Sequence, residues 1–186
     1  GYMFIDCKAL TSLNLSNFNT AQVKDMSGMF WSCSGLATLD LKNFNTSNVT
    51  KMKQMFYHCS SLKELDLSNF KTENVTNMTW MFRNCSALTA IYCPNTWQCE
   101  KSEDMFKDCT QLKGAVAYDE SKTDVTMANP TTGYFTKTKP TAIEQMFLNA
   151  HKAQGIYTLQ GKRVNGSLQH LPAGVYIVNG VLEIRR

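Results

Sequence analysis

No stretch of this sequence stays apolar for anything near the roughly 20 residues that a membrane helix needs, so no membrane-spanning helix is expected. Charge is also sparse: 19 basic against 15 acidic side chains give a net +4 over 186 residues. The cations Lys51, Lys53, Lys63, Lys71, Arg83, Lys107 and Lys113 are scattered. Without a basic stripe there is no electrostatic footprint for nucleic acid. Histidine is scarce, and His58, His151 and His170 sit in unrelated contexts with no serine or cysteine partner suggested by spacing. No paired C-x-x-C with a nearby His completes four zinc ligands, so no metal is expected and no cofactor is called for. An initiator methionine and a signal peptide are missing as well, and Gly1-Tyr2-Met3-Phe4 enters a repeat at its middle. A repeat array needs a polar capping unit at each end and none precedes Met3, so an N-terminally truncated piece of a longer protein is expected.

What the sequence does have is a period. Met-Phe recurs at Met3-Phe4, Met29-Phe30, Met55-Phe56, Met81-Phe82 and Met105-Phe106, at intervals of 26, 26, 26 and 24 residues. A cysteine follows in every unit (Cys7, Cys33, Cys59, Cys85, Cys109), and a leucine comes three residues later (Leu10, Leu36, Leu62, Leu88, Leu112). A fixed period of this length signals units that stack because none buries its own apolar face alone. Within each full unit, Leu10-x-x-Leu13-x-Leu15, Leu36-x-x-Leu39-x-Leu41 and Leu62-x-x-Leu65-x-Leu67 alternate with polar residues as half-buried strands do. An Asn-Phe-x-Thr corner follows at Asn17, Asn43 and Asn69. The return segment carries Val23, Met26, Met29, Phe30 and Cys33 at spacings of three and four, which predicts a helical or 3₁₀ element.

Five cysteines at one repeat position predict a column of small buried residues. Cys93 and Cys99 fall outside that column. They replace a strand leucine and a return valine in the one unit that is two residues short, and an intra-coil disulfide between them is expected if their Cα atoms lie about 4.4 to 6.8 Å apart.

The pattern L-x-x-L-x-L with a period of 26, followed by N-F-N-T-x-x-V-x-x-M-x-x-M-F-x-x-C, resembles the BspA-like leucine-rich repeats of bacterial surface proteins. The resemblance runs from Met3 to about Thr136. It weakens where Ile91, Cys93 and Trp97 interrupt the pattern, and it gives way to a cap ending at Gly133-Tyr134-Phe135. It implies a solenoid with strands on a concave face, exposure at the cell surface, and adhesion or host-protein binding. The resulting fold expectation is an α/β solenoid, a leucine-rich-repeat right-handed coil with parallel strands on one face, followed by a small all-β module. Domain limits are expected at 1–136 for the repeats, 137–141 for a linker and 142–186 for the module.

In that last segment Thr141 and Glu144 have capping-box spacing, and Ile143, Met146, Phe147 and Ala150 form a helical stripe. Two hairpins follow, around Gln160-Gly161-Lys162 and around Asn179-Gly180. GIYTLQGKRV followed by LPAGVYIVNG resembles the C-terminal sorting domain of type IX secretion in the Bacteroidetes phylum. That resemblance implies export and a contact with secretion machinery, although a lysine-rich final strand is replaced here by Val181 to Arg186.

Two sets of residues are candidates for binding. On the strand face, register stacks Asn14, Asp40, Asp66 and Tyr92, with Glu64 and Lys42 beside them. Strands about 4.8 Å apart would bring Asp40 and Asp66 near the roughly 5 to 5.5 Å of a retaining glycosidase pair, or into an oxygen-rich calcium site. A solvated acidic column partly neutralised by Lys42 is the simpler reading. Outside the Met-Phe ladder stand Trp31, Tyr57 and Arg83, residue types enriched in interface hot spots, although rings that simply cover the outside of the ladder are the simpler reading. The expectation is a non-enzymatic cell-surface or secreted module that binds an extracellular protein or glycan of host or bacterial origin. The alternative is a spacer in a larger exported protein whose activity lies upstream.

Overall fold

The computed structural model describes residues 1–141, 144, 155–160, 162–179 and 181–185. They form two compact units, Gly1–Lys139 and Pro140–Arg186.

In the first unit the Met-Phe segments stack repeat on repeat, with backbone amides alternating between two duties. Met26, Gly28, Phe30 and Ser32 donate to Lys51, Lys53, Met55 and Tyr57 of the next repeat at 2.8–2.9 Å. Met29, Trp31, Cys33 and Leu36 donate within the repeat to Met26, Gly28, Phe30 and Cys33, each closing an i to i+3 turn. The return segment is therefore a chain of consecutive turns and not a helix. Its backbone explains why: two residues per repeat, four apart, take positive φ, at Tyr2 and Asp6, Gly28 and Ser32, Gln54 and His58, Trp80 and Asn84, and Asp104 and Asp108. A left-handed residue every few positions cannot propagate a right-handed helix. The apolar spacing of three and four, read above as helical, is produced equally by linked three-residue turns.

The expected α/β solenoid is corrected on this evidence. The described repeats contain no α-helix, and the strand face is shorter than the leucine pattern implied. Only β1 (Glu64–Asp66), β2 (Ala90–Tyr92) and β3 (Phe135–Thr136, from the cap) form a parallel sheet, in that order. Leu10–Leu15 and Leu36–Leu41 alternate as strands should but pair with nothing as strands. Between the second and third repeats this face keeps a Lys63 amide bond to Ala37 at 3.3 Å, and the Asn69 amide bridges to Leu41, Lys42 and Phe44. Side chain thus replaces ladder at that step. The described chain is almost all turn and β, with one small parallel and one small antiparallel sheet.

The core of this unit is a column of phenylalanines. Phe4, Phe30, Phe56, Phe82 and Phe106 stack nearly parallel at centroid spacings of 5.7, 5.7, 5.5 and 5.4 Å. The column ends where Tyr134 and Phe135 meet Phe106 edge-on at 5.4 and 6.2 Å. The Phe106 amide donates to Thr123, so the cap also takes over the inter-repeat hydrogen bond. Gly133 is required here, since a Cβ would stand 2.2 Å from the Met127 carbonyl oxygen. Trp97, where the repeat pattern breaks, is buried between Phe70 and Phe135.

The second unit holds an antiparallel sheet ordered β5-β4-β6-β7, from β4 (Ile156–Thr158), β5 (Arg163–Val164), β6 (Gly174–Val178) and β7 (Val181–Arg185). Asn179 takes the positive φ that the tight β6–β7 turn requires. The Thr141 and Glu144 capping bonds are formed, the Thr141 amide donating to the Glu144 carboxylate at 2.8 Å. The helical stripe Ile143, Met146, Phe147 and Ala150 lies outside the described residues.

Candidate functional site

Two surfaces of the first unit carry the residues singled out from the sequence. On the strand face, Asn14, Asp40 and Asp66 share a job in folding. Each side-chain Oδ1 accepts from the backbone amide two residues on, Ser16, Lys42 and Ser68, at 3.0, 3.0 and 3.1 Å. These are Asx turns that start the corner after each leucine segment. The Lys42 amide and ammonium hold the Asp40 carboxyl below the usual carboxylate range, the ammonium at 2.9 Å. Asp40 and Asp66 are not brought together by strand pairing, because Leu36–Leu41 is not laddered to β1. They instead border an open groove of about 570 Å³, with Lys42, Lys63, Glu64 and Lys139. Asn14 and Asp40 share a separate hollow of about 60 Å³. Among the described residues no group of three or more His, Cys, Asp or Glu is placed to hold a metal ion.

Register in the sheet sets Asp66 beside Tyr92 and Glu64 beside Ala90. Tyr92 is buried, and burial first, then the nearby Glu64 carboxylate, pushes its phenol up to about 12. The Lys139 ammonium lies over the Tyr92 ring, 5.6 Å from its centroid and 3.5 Å from Glu64 Oε2.

The opposite candidates form a ridge. Tyr2 and Trp31 lie 6.1 Å apart, Trp31 meets Tyr57 edge-on at 5.2 Å, and Tyr57 lies 6.1 Å from Trp80. Arg83 then stacks its guanidinium 5.2 Å from the Trp80 ring, and Lys53 stands 6.0 Å from the same ring. Asp104 anchors the basic end, 2.7 Å from Arg83 and 3.7 Å from Lys107. Spacing puts Trp31, Tyr57 and Arg83 on one column, directly after each Met-Phe, whereas Trp80 lies one residue before Met81. The structure puts Trp80 at the centre. It occupies the left-handed position held by Gly28 and Gln54 in the preceding repeats, with φ of 58°. That register substitution, glycine to tryptophan, is the signal in the sequence that marks it. Trp80 Nε1 and Arg83 Nε are shielded from solvent and lack a hydrogen-bond partner among the described residues.

The expected Cys93–Cys99 disulfide is not present: both are free thiols, the Cys93 sulfur directed at the Asn95 carbonyl and the Cys99 sulfur at the Lys101 carbonyl. His170 Nδ1 lies 2.7 Å from the exposed Ser167 hydroxyl, a serine contact that the spacing did not suggest, and His58 packs against Tyr57.

No curated protein and no solved structure matches this chain. A family model does match, over residues 1–119, a span that takes in all five Met-Phe units and none of the second compact unit. With well over half its length matched, the chain belongs to the repeat family described as Mycoplasma protein of unknown function, DUF285.

Proposed function

We propose that this chain is a surface-displayed or secreted, non-catalytic repeat protein that docks an extracellular protein partner on the ridge Trp31–Tyr57–Trp80–Arg83. The observation that carries the reading is the ridge itself, three rings in contact across successive repeats, joined by Tyr2 at one end and closed by a stacked guanidinium at the other. Tryptophan, tyrosine and arginine are enriched among interface hot spots, the two aromatics because each buries a large area. The strand face offers less. Each of its aspartates gives one oxygen to a turn, and of the three full leucine segments only Leu62–Leu67 holds a laddered strand, β1. Display outside the cell is supported by the likeness of the repeats to bacterial surface proteins, and export by the likeness of Gly155–Arg186 to a sorting domain.

The test is saturable binding of the purified chain to an array of extracellular-matrix proteins and glycans, with a Trp31→Ala, Tyr57→Ala variant alongside. Each truncation at a hot spot costs about 2 kcal/mol or more, so the double variant should bind at least about 100-fold more weakly. The control is Asp40→Asn, which keeps the turn acceptor and should bind as the parent does. Loss in the control with retention in the ridge variant would move the site to the strand face, and capture by glycans alone would replace the protein partner.

A further inference from the structure

A second site lies on the strand face, and the chain fills it with its own side chain. We propose that Glu64, Asp66 and the ring of Tyr92 recognise the ammonium of a lysine in an extended partner peptide, and that Lys139 occupies this place in the free protein. The argument begins with the sheet. Parallel pairing of β1 with β2 fixes Asp66 directly beside Tyr92, with Glu64 two residues back on the same outward face. Two carboxylates on one strand beside an aromatic ring on the next is an arrangement suited to a cation, which gains from ion pairing and from the negative face of the ring together.

Lys139 shows which ligand fits. β3 pairs Thr136 with Tyr92, and three residues later the chain has turned back so that its ammonium lies over that ring and near Glu64. The hold is loose. The Lys139 side chain keeps 57% of its surface exposed, and its 3.5 Å approach to Glu64 is longer than a good charged hydrogen bond. The groove bordered by Asp40, Glu64 and Asp66 runs past the same ammonium, leaving room for a peptide to approach. Of its other cations, Lys42 is paired with Asp40 and Lys63 precedes Glu64 at the rim. Lys139 is also the last residue of the first compact unit, with Pro140 opening the second.

An exposed ion pair shifts its own equilibrium by only a few-fold, so internal occupancy weakens an external lysine modestly. Removing Lys139 should tighten binding by about two- to sixfold. The experiment is an NMR titration of the full chain with N-acetyl-lysine amide and, as the uncharged isostere, N-acetyl-norleucine amide. The Tyr92 ring resonances should shift saturably with the lysine compound and not with norleucine. Lys139→Gln should tighten the lysine affinity by that factor, and Glu64→Gln added to it should weaken the affinity again, each with an otherwise parental spectrum. No saturable shift, an equal response to norleucine, or an affinity unchanged or weakened by Lys139→Gln would each overturn the proposal. The ridge variants do not enter this test, so it stands or falls apart from the protein-docking reading.

Discussion

The cysteine in each repeat earns its position by donating a hydrogen bond. The thiols of Cys33, Cys59, Cys85 and Cys109 point at the carbonyl oxygens of Phe4, Phe30, Phe56 and Phe82 in the preceding repeat, at 2.9–3.0 Å. Those carbonyls already accept the turn-closing amide of their own repeat, as Phe30 does from Cys33. The sulfur therefore fills the second lone pair of a buried oxygen, which serine could do only from a shorter reach and alanine not at all. Burial raises the Cys109 thiol to about 12, and Cys59 and Cys85 well above the ordinary range. In the unfolded chain these thiols ionise from about pH 8.5. Between that pH and the folded-state values the unfolded chain binds fewer protons, so stability is full below about pH 8.5 and falls as pH rises through the window. Thermal unfolding from pH 7 to 10.5 should show a declining midpoint, and a Cys59→Ala, Cys85→Ala variant should lose less of its own starting stability over the same range. Equal slopes in the two proteins would show that other groups drive the decline. The repeat position revealed that these cysteines are buried, but it could not reveal the carbonyl each one serves, because that partner lies a whole repeat away.

At the scale of the element, the return segment buries the apolar residues that its spacing points inward, without forming a helix. Val49, Met52, Met55, Phe56 and Cys59 are all buried, as an inward stripe requires. What periodicity does not encode is the sign of φ. Gly28 hints at a left-handed position, but the equivalent residues Gln54, Trp80 and Asp104 do not, and only the stacked backbone bonds hold them there. The strand pattern failed for a related reason. Alternation fixes which face a residue takes, whereas pairing needs amides and carbonyls in reach, and around Leu36–Leu41 the Asn69 side chain takes those carbonyls instead. His58 isolates the φ cost, since it is exposed, has φ of 59° and sits where Asn84 stands in the next repeat. His58→Gly should leave stability unchanged or raise it by up to about 1 kcal/mol, while His58→Val, β-branched at positive φ, should lose about 1–2 kcal/mol. Denaturant unfolding of both variants decides the matter, and a stable valine variant would mean that the positive φ is not enforced.

Across the first unit as a whole, cohesion passes from repeat to repeat through the phenylalanine column, so position along the column should matter as much as burial. Within the column each ring stacks only on the rings of adjacent repeats, as in arrays whose stability is a sum of unit and nearest-neighbour terms. The period of Met-Phe made this column legible from the start, while Tyr134-Phe135, read as the end of a cap, meets its last ring edge-on. The ridge was only half legible: Trp31 and Tyr57 share one repeat position, while Trp80 joins them from the left-handed position of Gly28 and Gln54, which the sequence marks only by the change of residue there. Phe56 is wholly buried between Phe30 and Phe82, whereas Phe4 is partly exposed and stacks on Phe30 alone among the column rings. Phe56→Ala should therefore cost about 3–5 kcal/mol and Phe4→Ala clearly less. The more telling readout is where protection is lost. Removing the middle ring uncouples the repeats before it from the capped end, so amide hydrogen exchange in Phe56→Ala should accelerate most over Tyr2 to Ser32 and least around Phe82 and Phe106, which remain stacked on each other and closed by Tyr134. Uniform acceleration from one end to the other would mean that the unit unfolds as a single block, and that the column distributes its energy globally instead of neighbour by neighbour.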